Sequence, residues 1–363
     1  MARFGASGSV VSFGRLGLIV QAEALTAEGI AARHSPHAAQ IPGLVWAFRI
    51  HANGSAEPLN VDEPVDLRGD GLLWLHFNLG DLRADQWLAS ADLDIPEAGK
   101  ALLLSRDNFQ QIHAADDSIY GVFSDLVRAI DRVTEETGYL HFVMTERLLV
   151  SGRHHALCAV DATRRVLESG QQRISSGAAL LETIVEYVAE TMERVAEEVG
   201  AKLDSIEEKI LSDDSTDLRR DLGRLRRTCV RLHRQLSGLL LMFRRLDQQG
   251  PEALKPALRL RAGKLAQRLD ALDHVVVEMR ERSRLLQEEL HLKIEEQTNK
   301  SIHLLSVLTA LLLPPTLVTG VFGMNTKGLP LTDVETGFLT ASVLIVSSSA
   351  LAYFIMKRFG ILR

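Results

Sequence analysis

Two uncharged runs near the end of this chain constrain its fold more than any other feature. Residues 301–326 contain no Asp, Glu, Lys or Arg, and residues 336–356 contain none either. A helix needs about 20 apolar residues to cross the hydrocarbon of a bilayer, and a soluble core helix rarely stays uncharged for so long. The runs therefore predict two membrane spans, at 301–325 and 336–356, joined by the short loop 326–335. Two spans put the large front end and residues 357–363 on one side. Lys293 and Lys300 precede the first run, and Lys357, Arg358 and Arg363 follow the second. The loop sets Lys327 against Asp333 and Glu335. Positive flanks stay inside, so both termini are expected in the cytoplasm and the loop outside.

At 363 residues the chain has room for two or three domains. A net charge of −6 gives no reason to expect nucleic acid as a partner. Cys158 and Cys229 lie far apart in sequence and read as reduced thiols of a cytosolic region. Residues 1–42 read as a flexible extension rich in Gly, Ser and Ala. Their apolar patch, 9–22, carries Arg15 inside it and makes a poor signal peptide.

Residues 43–155 read as a mixed α/β domain. Runs rich in branched or aromatic residues predict strands at 44–50, 72–78, 109–114, 119–125, 139–145 and 148–150. The last two are separated by Glu146 and Arg147, a hairpin spacing. Helices are expected at 85–91 and 96–104. From 156 to 300 the chain reads as a helical stalk. One helix, 178–211, aligns Leu181, Ile184, Val188, Thr191, Val195, Val199 and Leu203 on one face. A second, 217–248, stops at Gly250-Pro251. A third is expected to start near Glu252 and to run unbroken to Phe322, about 70 residues and roughly 100 Å. The fold class is thus an α+β cytoplasmic domain, long stalk helices and a two-helix C-terminal transmembrane hairpin.

The second helix is basic, with Arg219, Arg220, Arg224, Arg226, Arg227, Arg231, Arg234, Arg244 and Arg245. The plain reading is a solvated face paired with Glu193, Glu197, Glu198, Glu207 and Glu208. A membrane surface or an anionic ligand is the other. No paired carboxylates, Ser-His-Asp set or phosphate loop stand out, so no enzyme is expected.

The first span closes on Leu313-Pro314-Pro315-Thr316-Leu317-Val318-Thr319-Gly320-Val321-Phe322-Gly323-Met324-Asn325. A Gly-Met-Asn tripeptide ending a first span, before a short external loop and a second span, resembles the CorA family of divalent-cation transporters. The front end is similar to the ZntB branch of that family, associated with zinc, at Val45-Trp46-Ala47-Phe48, Trp74-Leu75-His76-Phe77-Asn78 and Asp85-Gln86-Trp87-Leu88. Met324 departs from the Gly-Val-Asn often carried by that branch and matches magnesium-associated members. The resemblance covers residues 43–363. It implies a homopentamer in a bacterial inner membrane, with Zn²⁺ as cargo, or Mg²⁺, Co²⁺ or Ni²⁺ in the alternative, and no covalently bound cofactor.

Within that frame Asn299, Ile302, Leu305, Thr309, Leu313, Thr316, Gly320 and Gly323 recur at three- and four-residue spacing and form a candidate pore stripe. Apolar collars of Ile302, Leu305 and Leu313 would close the pore by dewetting. Gly323, Met324 and Asn325 form the candidate filter. Gly323 is expected to permit a tight non-helical turn that aims Asn325 inward. A ring of Asn325 carbonyls suits a hard hydrated cation. Asp333 and Glu335 would add an external acidic ring. Glu288, His291 and Glu295 share a stalk face and offer a possible cation site at the inner mouth. A membrane-anchored coiled-coil scaffold without transport is the rival of another class.

Overall fold

The computed structural model describes residues 40–115, 117–128, 133–212, 217–249, 254–324 and 336–360. Seven strands form one sheet: β1 (Leu44–Ile50), β2 (Ala56–Leu59), β3 (Leu72–Asn78), β4 (Gln111–Ala115), β5 (Ser118–Arg128), β6 (Val133–Thr145) and β7 (Leu148–Arg153). Their order is β2-β1-β3-β7-β6-β5-β4. β3 and β7 pair in parallel, and every other described pairing is antiparallel. β6 and β7 form the hairpin expected at Glu146-Arg147. The sequence reading missed β2, because Ala-Glu-Pro-Leu is short and contains proline. Pro58 is tolerated because β2 is an edge strand, where a missing N–H costs no ladder bond.

Side chains alternate between the two sheet faces, and each face is covered. Ala47, Leu73, Leu75, Phe77 and Val150 pack with Ala84, Leu88 and Leu103 from α1 (Leu82–Ser90) and α2 (Glu97–Leu104). Trp46, Phe48, Trp74, Phe123 and Phe142 face the other way, toward α3 (Cys158–Ser169) and α4 (Gly177–Leu211). The Trp-Leu-His-Phe-Asn run of β3 therefore belongs to the core. Trp74 Nε1 donates to Ser151 Oγ at 2.8 Å, and His76 Nδ1 lies 2.8 Å from the same oxygen. His76 stacks on Trp46 with ring centroids 4.1 Å apart. Burial pushes the His76 imidazole well below its ordinary pKa, with Arg153 and Arg164 adding to the shift, so it stays neutral.

Asp125 ties this sheet to α3. Its carboxylate is fully buried and accepts from the backbone N–H groups of Leu126 at 2.7 Å and Ala159 at 2.8 Å. The helix has no cap from its own N-cap residue, Leu157, so a strand residue supplies one. Cys158 and Cys229 are both buried and free. Burial, with Asp125 nearby, pushes the Cys158 thiol up to about 12, which keeps it unreactive.

Three long helices follow: α4, α5 (Leu218–Gln248) and α6 (Ala262–Phe322). α6 starts ten residues later than the expected position near Glu252. A 3₁₀ turn at Pro256–Leu258 precedes it. Glu182 of α4 then sets the starting point. Its carboxylate, 5% exposed as a residue, accepts from the backbone N–H of Arg261 at 2.6 Å and from the Arg261 guanidinium. That bond satisfies an orphan donor at the new helix N-terminus. The 61 residues of α6 span about 90 Å.

The ion pairs of the bundle also differ from the expected pattern. Carboxylates of α4 pair with α6, through Glu193–Arg268 at 3.7 Å and Asp204–Arg282 at 2.6 Å. The basic helix α5 meets α6 instead, through His233–Asp273 at 2.7 Å and Arg244–Asp270 at 2.9 Å. No ion pair joins an α5 arginine to an α4 carboxylate among the described residues. The apolar stripes of α4 and α5 turn both helices toward α6, which brings their charged faces outward.

Candidate ion pathway

α6 and α7 (Gly337–Arg358) are the two helices long and apolar enough to cross a membrane. They pack against each other along one face of each. On α6 the half-buried positions are Val307, Leu311, Pro314, Pro315, Val318 and Phe322. On α7 they are mostly small: Gly337, Thr340, Ala341, Ser342, Ile345, Ser348, Ser349 and Ala352, closing on buried Met356. Small residues let two backbones approach closely inside a bilayer.

The predicted pore stripe lies elsewhere. Asn299, Ile302, Leu305, Thr309, Leu313, Thr316, Gly320 and Gly323 are all exposed. At about 100° per residue their mean direction lies roughly 170° from the face packed on α7. Packing on the second span therefore does not explain these residues.

Hydroxyl orientation along the stripe is informative. Thr309 Oγ1 donates to the Leu305 carbonyl at 2.8 Å, and Thr316 Oγ1 donates to the Leu312 carbonyl. A hydroxyl whose proton is spent on its own helix presents lone pairs outward. Such oxygens accept hydrogen bonds from the water shell of a cation and have no proton left to offer an anion. Pro314 and Pro315 sit within α6, so the carbonyls of Ala310 and Leu311 lose their intrahelical donors. They add two unpaired acceptors at mid-span, tolerable where a neighbouring helix or pore water answers them.

At the end of the stripe, Gly323 donates its N–H to the Thr319 carbonyl at 2.9 Å, and Met324 donates to Val321 at 3.3 Å. Gly323 has φ −84° and ψ −7°, an ordinary right-handed conformation. The turn expected there is helical up to this point, and a positive φ is not the reason for glycine. A Cβ at 323 would instead meet the Thr319 carbonyl oxygen at 3.0 Å. Asn325, the external pair Asp333 and Glu335, and Lys327 lie outside the described residues.

The exposed stripe continues toward the N-terminus of α6. Glu278, Glu281, Leu285, Glu288, Leu292 and Glu295 follow at three- and four-residue steps and reach Asn299. The sequence reading identified only Glu288, His291 and Glu295 here. The longer ladder was legible in the spacing once the phase was carried back from Ile302. Glu288 pairs with Arg284 at 2.7 Å, and His291 pairs with Glu295 at 3.2 Å. Glu288 and His291 border a cavity of about 520 Å³ that also holds Arg219, Arg226 and Arg284, so its charge is not that of a cation site. Among the described residues no three His, Cys, Asp or Glu side chains come together to hold a metal. A second hollow, about 440 Å³, marks the junction of stalk and span and is lined by Glu295, Glu296, Asn299, Lys300 and His303.

A mixed sheet, a stalk of long helices and a closing pair of apolar helices define a two-span architecture of the divalent-cation transporter class. The sequence model of the family described as CorA-like Mg2+ transporter protein matches residues 69–358, and the chain belongs to that family. It is 23% identical over 326 residues to the zinc transport protein ZntB of Klebsiella pneumoniae subsp. pneumoniae, covering 88% of this chain and 96% of the relative. It is 23% identical over 313 residues to the zinc transport protein ZntB of Enterobacter sp. (strain 638), covering 84% and 92%. Among solved structures it resembles full-length CmaX, with a TM-score of 0.71 and 23% identity over 87% of this chain and 97% of that one. It also resembles the complete CorA magnesium transporter of Methanocaldococcus jannaschii, with a TM-score of 0.64 and 18% identity over 88% and 99%. At those identities the structural likenesses establish the fold.

Proposed function

We propose that this chain forms a ring in a bacterial inner membrane and passes a divalent cation along the exposed stripe of α6. The carrying observation is the direction of that stripe. It faces away from α7, with threonine oxygens turned outward as acceptors. One helix cannot enclose a pore, so the stripe needs symmetry-related copies around an axis. Resemblance to the family supports five. Asn325 then stands at the outer mouth as the filter, with Gly323 and Met324 below it and Asp333 and Glu335 as an outer acidic ring. Leu305 and Leu313 form apolar constrictions, and the glutamates of the stalk draw cations to the inner mouth.

The positive flanks support a topology with both termini in the cytoplasm. The proposed regions are an extension at 1–42, the sheet domain at 43–155, the stalk at 156–300, spans at 301–325 and 336–356, the outer loop at 326–335 and a basic tail at 357–363.

Zinc is the proposed cargo, because the ZntB relatives bear that name and align over most of both chains. Magnesium is the second reading, favoured by the family description and by Met324 in the filter. Carbonyl and hydroxyl oxygens suit either ion while it keeps its water shell. Uptake of Zn²⁺ and Mg²⁺ into proteoliposomes, each with and without a pH gradient, tests the reading. Zinc uptake above that of empty vesicles supports it. Uptake of neither ion overturns it, and uptake of magnesium alone replaces the cargo.

A further inference from the structure

Two charged stripes on the stalk are only partly answered within one protomer. On α4, Glu186, Glu190, Glu193, Glu197, Asp204 and Glu208 fall three, four or seven residues apart, on one face. On α5, Arg220, Arg224, Arg227, Arg231, Arg234 and Arg245 do the same, with Gly238 and Leu241 filling the gap. The acidic stripe is roughly 33 Å long and the basic stripe roughly 37 Å. The acidic stripe points about 145° and the basic stripe about 130° from the buried face of its own helix. The exposed cations of α4, Arg194, Lys202 and Lys209, lie off its acidic stripe. The acids of α5, Asp221 and Asp247, lie off its basic one.

Intrachain pairing leaves most of both stripes unanswered. Arg220, Arg227, Arg234 and Arg245 make no ion pair among the described residues. Neither do Glu186, Glu190, Glu197 and Glu208. The upper part of the basic stripe borders a cavity of about 590 Å³ against β4, whose lining contains no carboxylate among the described residues. Gln235, 5% exposed, also lines it, and its Oε1 has no partner among the described residues.

We infer that the basic stripe of α5 in one copy docks on the acidic stripe of α4 in the next. The inference rests on the ring proposed above, and it names the surface that closes the ring outside the membrane. Ring symmetry joins two different patches of the same chain, head to tail. Opposite stripes of similar length are what such a contact needs, and like stripes would repel in any face-to-face dimer.

The register follows from α6, which serves as a ruler for both helices. Glu193 and Asp204 of α4 meet Arg268 and Arg282. On α5, His233 meets Asp273, and the Leu222 carbonyl accepts from Ser283. Rotation about an axis along the stalk keeps each residue at its height. The rungs are therefore Arg220 with Glu208, Arg224 with Asp204, Arg234 with Glu197, and Arg245 with Glu186. The helices α4 and α5 run antiparallel, so these four rungs are consistent with one another.

Disulfide mapping in the full-length protein tests this. Chains carrying Glu197→Cys and chains carrying Arg234→Cys are co-expressed with different tags, purified together and oxidised. Cys158 and Cys229 are buried and do not compete. The expected result is a disulfide-linked dimer carrying both tags. The dimer should be lost when Glu208→Cys replaces Glu197→Cys, which moves the thiol roughly 16 Å along the helix. Equal linkage in the two pairings overturns the register and the interface. Absence of the matched dimer, while the same sample elutes as an oligomer, overturns the interface and leaves the ring standing. A native protein that elutes as a monomer overturns both.

Discussion

Asp125 predicts a pH dependence that one substitution should remove. Its carboxyl is fully buried between β5 and the start of α3. Burial pushes its pKa from 3.8 up to about 7, against the pull of three backbone N–H donors, those of Ala159, Leu126 and Val160. A raised folded-state pKa means that the folded state binds the extra proton. The stability so gained is fully present below the unfolded value of 3.8 and is lost as pH rises through about 7. Between about pH 5 and about pH 8 the folded protein should lose roughly 3 kcal/mol from this group, at about 1.4 kcal/mol per pH unit up to its pKa. Asp125→Asn keeps the shape and one acceptor. Its misplaced amide costs about 1–2 kcal/mol, an offset that does not vary with pH. The wild type should therefore lose its advantage over the variant as pH rises, by several degrees of melting temperature. Thermal unfolding in detergent micelles, followed by fluorescence of buried Trp46 and Trp74, reads this directly. Parallel melting curves for the two proteins across the range would refute the reasoning.

Further predictions concern the membrane region. Leu305→Ser and Leu313→Ser shrink apolar collars and add a hydroxyl, so liposomes carrying either variant should leak metal. Leu311→Ser, on the face packed against α7, should instead lower the stability of the protomer without leak. The opposite assignment would mean that the pore face has been placed on the wrong side of α6. A cysteine at Thr332 should react with an impermeant thiol reagent on intact cells, and one at Arg363 only after permeabilisation. The reverse pattern would invert the topology.

Much of this architecture was legible in the residues alone. The two uncharged runs picked out the two helices long and apolar enough to cross a membrane, and α6 ends at Phe322 where the sequence reading placed its end. Strands β1 and β3 were recovered to the residue, because their apolar runs are framed by turn residues. What was missed depends on contacts across the chain. The start of α6 is determined by Glu182, 79 positions away from Arg261, and no local signal announces such a cap. β2 exists because β1 offers it an edge. The arginines of α5 were assigned to α4 glutamates because opposite charges on adjacent helices invite that pairing. Packing of both helices on α6 turned those faces apart. The stripe from Asn299 to Gly323 was visible as a period, but its direction relative to α7 required the packed pair.

The central claim is that a cation leaves the α6 stripe through a ring of Asn325 carbonyls. Asn325→Ala removes those oxygens and changes none of the residues described on the α6–α7 packing face. Reconstituted at equal density, with the oligomer verified by its elution, wild-type protein should load vesicles with Zn²⁺ and the variant should lose most of that uptake. Full wild-type uptake by an intact Asn325→Ala oligomer would contradict the account.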